Sequence, residues 1–184
     1  LGVLKILSSH SELITSRSGR SIELKAISAR SKSKNRGVSL DDLAWESNII
    51  DLAKRSDIDV FIELIGGDDD PAKEAVETAL KSGKHVITAN KALLAKHGQE
   101  LAELAEKNNV SLKFEAAVAG GIPAIKTLTE SLAGNKINKI MGVMNGTCNY
   151  ILTRMENSNL AYETVFNEAQ KLGYLEADPT LDVG

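Results

Sequence analysis

The chain is short of almost everything that would tie it to a membrane, an oxidising compartment or a nucleic acid. One cysteine, Cys148, stands among 184 residues, so no internal disulfide is available and a cytoplasmic, reducing location is expected. No apolar run approaches the roughly 20 residues that span a bilayer, and no charged-then-apolar leader opens the sequence. The net charge of −3 comes with no basic stripe, which argues against nucleic acid as a partner. His10, His85 and His97 lack ligand-type spacing, so no catalytic metal is expected. Repeats and low-complexity tracts are also missing. At 42% hydrophobic and 26% charged residues, the composition excludes a disordered or collagen-like chain.

What is there is a run of short strands and helices. Leu1, Val3, Leu4 and Leu7 have the spacing of a helix interior, without a cap before them. With the abrupt ending at Leu181–Gly184, this predicts a fragment cut at both ends. A strand is expected over 22–28, then a polar, basic loop from Ser31 to Asn35, a mobile loop over 36–48 with Trp45 as a packing residue, and a helix over 48–55. Val60 to Ile65 reads as a buried strand closed by Gly66 and Gly67, and Pro71 suits the first turn of a helix to about Ser82. A strand over 84–88, a helix over 92–108 and a strand over 110–114 follow.

Strands and helices alternating at this spacing argue for parallel βαβ units. The expected class is α/β: an incomplete Rossmann-like parallel sheet over 1–120, then the start of an α+β substrate and dimerisation domain over 121–184. That second part is expected to hold a helix over 123–133, a longer strand over 137–144, and helices over 147–157 and 161–171, the last stopped by Gly173.

Ligands of parallel sheets bind beyond the carboxyl ends of the strands. Those ends carry Ser28-Ala29-Arg30, Ile65-Gly66-Gly67, Thr88-Ala89-Asn90-Lys91 and Glu115-Ala116-Ala117. A complete glycine-rich dinucleotide turn is lacking. Arg30 and Lys32, with hydroxyls between them, fit the extra phosphate of NADP as well as they fit a solvated basic loop. Gly66 and Gly67 either admit a cofactor closely or simply turn the chain. Asp68, Asp69 and Asp70 read as a helix cap and a solvated run rather than metal ligands. Lys91, where a strand passes into a helix, is either a surface lysine or a cation facing both cofactor and substrate.

Five segments together carry a resemblance. They are Ile62-Glu-Leu-Ile-Gly-Gly, Thr88-Ala-Asn-Lys-Ala-Leu-Leu, Phe114-Glu-Ala-Ala-Val-Ala-Gly-Gly-Ile-Pro, Asn145-Gly-Thr-Cys-Asn-Tyr-Ile-Leu-Thr and Gly173-Tyr-Leu-Glu-Ala-Asp-Pro. In this order and spacing the chain resembles the homoserine dehydrogenase family over nearly its whole length. The resemblance implies reversible reduction of aspartate semialdehyde to homoserine with NADP or NAD cofactors, on the way to threonine and methionine. It implies a cofactor site at Arg30, Lys32, Ile65, Gly66, Thr88 and Lys91, with Lys91 also in the active site. It implies a monovalent cation, Na+ or K+, held by Glu115 and the carbonyls of Val118, Gly120 and Ile122. Glu176 would bind the substrate ammonium, with Asp182, Thr147, Gly173 and Tyr174 in the same pocket, and the assembly would be a homodimer or homotetramer. Proton donors of the family, an Asp and a Lys, would lie beyond Gly184, so the chain alone is expected to be impaired in turnover.

Two rival readings remain. Cys148 would suit a thiol-dependent aspartate-semialdehyde dehydrogenase, given a base to activate it. Alternatively, the chain serves only assembly, through the sparsely charged strand expected over 137–144.

Overall fold

In the computed structural model, residues 2–143 and 145–175 are described. They fall into two compact units, 1–131 and 132–184. The first begins with α1 (Gly2–Ser9) and α2 (Ser11–Ser18), then β1 (Ala26–Ser28), β2 (Ala44–Glu46), α3 (Ile49–Lys54), β3 (Val60–Glu63), α4 (Ala72–Lys81), β4 (His85–Thr88), α5 (Lys91–Lys107) and β5 (Leu112–Lys113). All pairings are parallel: β1 with β2 in one sheet, and β3-β4-β5 in another.

These two sheets have the layout of a doubly wound fold. In the strand order 3-2-1-4-5-6, β2-β1 takes places 3-2 and β3-β4-β5 takes places 4-5-6. None of the described strands fills place 1 between them. Such folds bind ligands at the switch point between their two halves, which in this order the carboxyl ends of β1 and β3 would flank.

The helices follow from their apolar spacing. Ala72, Ala75, Val76, Ala79 and Leu80 of α4 recur on one face and are all buried. They pack with Phe61, Val86, Leu93 and Leu101 in the main core. Successive crossovers in one direction place α4 and α5 on the same side of the sheet. Phe61, Glu63, Val86 and Thr88 face that core, while Val60 and Ile87 stay exposed. The strand expected to be buried throughout is thus covered on one face only.

Three further expectations change. The first strand is shorter than 22–28, and Ile22 is exposed. The segment expected as a loop over 36–48 contains β2, in which Trp45 pairs opposite Ile27. The helix expected over 123–133 is α6 (Ala124–Lys126), continued as a wider π-type turn over Thr127–Ser131.

The second unit is a helical hairpin, α7 (Gly146–Ser158) and α8 (Tyr162–Lys171), closed by Ile151, Val165 and Ala169. Both helices were legible in the sequence. The strand expected over 137–144 is not formed over 137–143, and Met144 lies outside the described residues. A strand needs a hydrogen-bonding neighbour, and the described residues of this unit include no other strand. Ile140, Met141 and Val143 are accordingly exposed. Among the described residues, no helix is long and apolar enough to cross a membrane.

The unit division at Ser131 lies beyond the boundary expected near 120. Glu115 holds the chain there: its carboxylate accepts the N–H groups of Ile125 at 3.1 Å and Lys126 at 2.8 Å. Lys113 also pairs with Glu130 at 2.7 Å. These bonds fasten the segment after Pro123 to the first unit.

Candidate functional site

At the carboxyl ends of β3 and β4 the chain builds a buried polar network. Glu63 has no exposed surface, although it stands in an apolar strand. A carboxylate in such a place must be hydrogen-bonded. One oxygen accepts the N–H groups of Ile65 at 2.6 Å and Gly66 at 3.3 Å, and the other accepts the Thr88 hydroxyl at 2.5 Å. Thr88 Oγ1 in turn accepts the Asn90 N–H at 3.0 Å. The Asn90 side chain then does two things. It donates to the Gly67 carbonyl at 2.7 Å, and it accepts the Leu93 N–H at 3.1 Å as the N-cap of α5. The turn after β3, the end of β4 and the start of α5 are joined as one piece.

Of the residues expected to meet a cofactor, Ile65, Gly66, Thr88 and Lys91 all belong to this piece. Gly66 and Gly67 hold φ of 82° and 88°, and a Cβ on either would meet nothing within 4 Å. The glycines are needed for their left-handed backbone, and open space lies against it. Lys91 is the first residue of α5 and lies at the surface. A cation there works against the helix dipole, so its position is not explained by helix stability.

Arg30 and Lys32 are exposed on the loop after β1. Arg36 gives this loop its shape. Its guanidinium donates to the carbonyls of Ser31 at 2.6 Å and Lys34 at 3.0 Å, and lies 5.6 Å from the centre of the Trp45 ring. Arg36, Glu63 and Asn90 were missed as site residues in the sequence. The available signals were a glutamate inside an apolar strand and an arginine nine residues from the single tryptophan.

The three consecutive aspartates prove structural. Asp70 accepts the Glu74 N–H at 3.0 Å near the start of α4. Lys96 of α5 pairs with Asp69 at 2.5 Å and with Asp68 at 3.3 Å.

Around Glu115 the chain turns sharply. Ala119, Gly120 and Gly121 hold φ of 54°, 59° and 93°, which carries a cost at Ala119 because of its Cβ. Both carboxylate oxygens of Glu115 are engaged by N–H groups, and the Ile122 carbonyl accepts the Ala124 N–H at 2.7 Å. Each such oxygen has a second lone pair, and a set made only of oxygens suits a hard cation.

In the second unit, Thr147, Gly173 and Tyr174 come together. Gly173, at φ 78°, ends α8 in a Schellman motif: its N–H meets the Gln170 carbonyl and the Tyr174 N–H meets that of Ala169. Tyr174 is thereby turned back onto α7. Its carbonyl accepts the Thr147 hydroxyl at 2.8 Å, and its ring stacks on Tyr150 with centroids 4.5 Å apart. A cleft of about 370 Å³ opens beside this pair, bordered also by Asn149 and Arg154. Glu176 and Asp182 lie outside the described residues. Cys148 has no histidine in its own unit, all three being in the first.

Comparison with known proteins gives matches along most of the chain. A family model described as "Homoserine dehydrogenase, NAD binding domain" matches residues 2–115, and one described as "Homoserine dehydrogenase" matches residues 123–184. A homoserine dehydrogenase of Neisseria gonorrhoeae is 48% identical over 99% of the chain, and that of Bacillus subtilis 43% identical over 99%. The chain spans only 41% and 42% of the lengths of those two relatives. Among solved structures, a homoserine dehydrogenase from Thiobacillus denitrificans superposes with a TM-score of 0.87 at 44% identity, covering 99% of this chain and 42% of that one. A hyperthermophilic archaeal homoserine dehydrogenase in complex with NADPH gives a TM-score of 0.76 at 28% identity, covering 94% of this chain and 60% of that one.

Proposed function

Because the chain belongs to the homoserine dehydrogenase family, we propose that the whole protein reversibly reduces aspartate semialdehyde to homoserine with a nicotinamide dinucleotide. The single observation that carries this is the polar network at the ends of β3 and β4, found in a chain of this family. It fixes bare glycine backbone beside Lys91, at the place where a doubly wound sheet binds dinucleotides.

The bound cofactor supplies the hydride. What remains for the protein is to set the carbonyl against it and to handle charge on the oxygen. Gly66 and Gly67 leave room for a flat ring against the backbone, with Ile65 as an apolar flank. Lys91 presents an ammonium as the alkoxide develops, either as electrostatic partner or in proton transfer. Arg30 and Lys32 favour NADP over NAD by meeting its extra phosphate, on the adenosine half of the site. An archaeal homoserine dehydrogenase in complex with NADPH supports a nicotinamide cofactor.

Glu176 takes the substrate ammonium, Asp182 lies near it, and Thr147, Gly173 and Tyr174 shape the pocket. Glu115, with the carbonyls of Val118, Gly120 and Ile122, holds a monovalent cation. The cofactor domain ends near residue 120, and the protein works as a homodimer or homotetramer in the cytoplasm.

The test is Lys91→Ala in the whole protein. Turnover of NADPH with aspartate semialdehyde should fall about 100-fold or more, with the circular dichroism spectrum unchanged. Unchanged turnover would remove Lys91 from the mechanism. Alkylation of Cys148 separates the thiol enzyme, which must lose all activity, from a hydride-only enzyme.

A further inference from the structure

We infer that Glu63 is a positioning residue for the nicotinamide half of the cofactor, acting through Thr88 and Asn90. This rests on the functional reading above and extends it to a residue that touches neither cofactor nor substrate. Glu63 is fully buried, and its carboxylate is spent on three groups: the N–H of Ile65, the N–H of Gly66 and the hydroxyl of Thr88. The first two shape the turn after β3 and the third fixes the end of β4. Packing alone would be served by an apolar residue there, since a buried carboxylate is costly unless it is bonded at every oxygen.

The direction of the bonds matters. The Asn90 N–H donates to Thr88 Oγ1, and the Thr88 hydroxyl proton therefore points to Glu63. Asn90, so placed, ties the Gly67 carbonyl to the first turn of α5, where Lys91 begins. One carboxylate thus sets both the glycine backbone and the base of Lys91. Both lie in the β3-β4-β5 half of the sheet, whereas Arg30 and Lys32 follow β1 in the other half. The two halves of a doubly wound sheet each bind one nucleotide of a dinucleotide.

Glu63→Gln keeps the size but cannot accept the Thr88 proton and both N–H groups in the same arrangement. Its amide would donate to Thr88 Oγ1, leaving the Thr88 proton without its acceptor. The measurement is binding of NADPH, and of 2′-phospho-ADP-ribose, which lacks the nicotinamide, to the whole protein with and without Glu63→Gln. Melting temperature and circular dichroism are recorded alongside.

For Glu63→Gln, affinity for NADPH should fall about tenfold, the size expected for a disturbed charged hydrogen bond. Affinity for 2′-phospho-ADP-ribose should stay within about twofold. A folded Glu63→Gln protein that binds NADPH normally, or that loses both ligands equally, overturns the inference. If Glu63→Gln does not fold, Thr88→Val takes its place: it removes the hydroxyl but leaves the carboxylate bonded to the turn. Equal loss of both ligands in that variant overturns the inference as well. An unaltered protein that binds neither ligand would instead bring down the functional reading itself.

Discussion

Asp69 is held below its ordinary value of 3.8, first by the Lys96 ammonium and then by His97, both of which bond to it. A carboxyl lowered on folding adds stability that is complete above its unfolded value and fades as pH falls through the folded one. Asp69→Asn should therefore lower the melting temperature near neutral pH, and the difference should shrink well below pH 3.8. A difference that is the same at both pH values would mean that the pair contributes nothing through charge. Because Asp69 is exposed, screening keeps the effect small, and added salt should reduce it further. At this scale the sequence was readable where chemistry is local. A run of aspartates before a helix suggests a cap, and Asp70 does bond near the start of α4. Glu63 was harder to read, because its partner Thr88, 25 residues away, becomes a neighbour only when β3 pairs with β4.

Elements that end in a local signal were legible to within a few residues. Gly83, Asn109 and Gly173 all hold positive φ just past a helix, where the N–H two places beyond the helix cap returns to an earlier carbonyl. Gly173→Ala should cost roughly 1 kcal/mol, from the left-handed backbone alone, since a Cβ there meets nothing. It should also loosen the Tyr150–Tyr174 stack, which a near-ultraviolet circular dichroism change would report. A melting curve matching that of the unaltered protein would contradict this. Elements that depend on a distant partner were not legible. Residues 137–144 have strand-like composition, yet 137–143 form no strand and pair with no described strand. Conversely, β2 forms where the sequence predicts a loop, since its pairing with β1 is not written in its own three residues.

At the scale of the molecule, the alternation of strands and helices predicted parallel pairing, and all described pairings are parallel, in the sheets β1-β2 and β3-β4-β5. Under the proposed function, the charge that would distinguish the two cofactors is that of Arg30 and Lys32, on the loop after β1. Replacing both by alanine should raise the KM for NADPH about tenfold or more while leaving that for NADH within about twofold, because only the phosphate contact is lost. An equal rise for both cofactors would place those residues elsewhere in the account. The helical hairpin of the second unit brings Thr147, Gly173 and Tyr174 together.

The most direct measurement is product analysis: the whole protein is given NADPH and aspartate semialdehyde, and both NADPH consumed and homoserine formed are counted. The account predicts equal amounts of the two. NADPH left unoxidised, or oxidised without homoserine appearing, would contradict it.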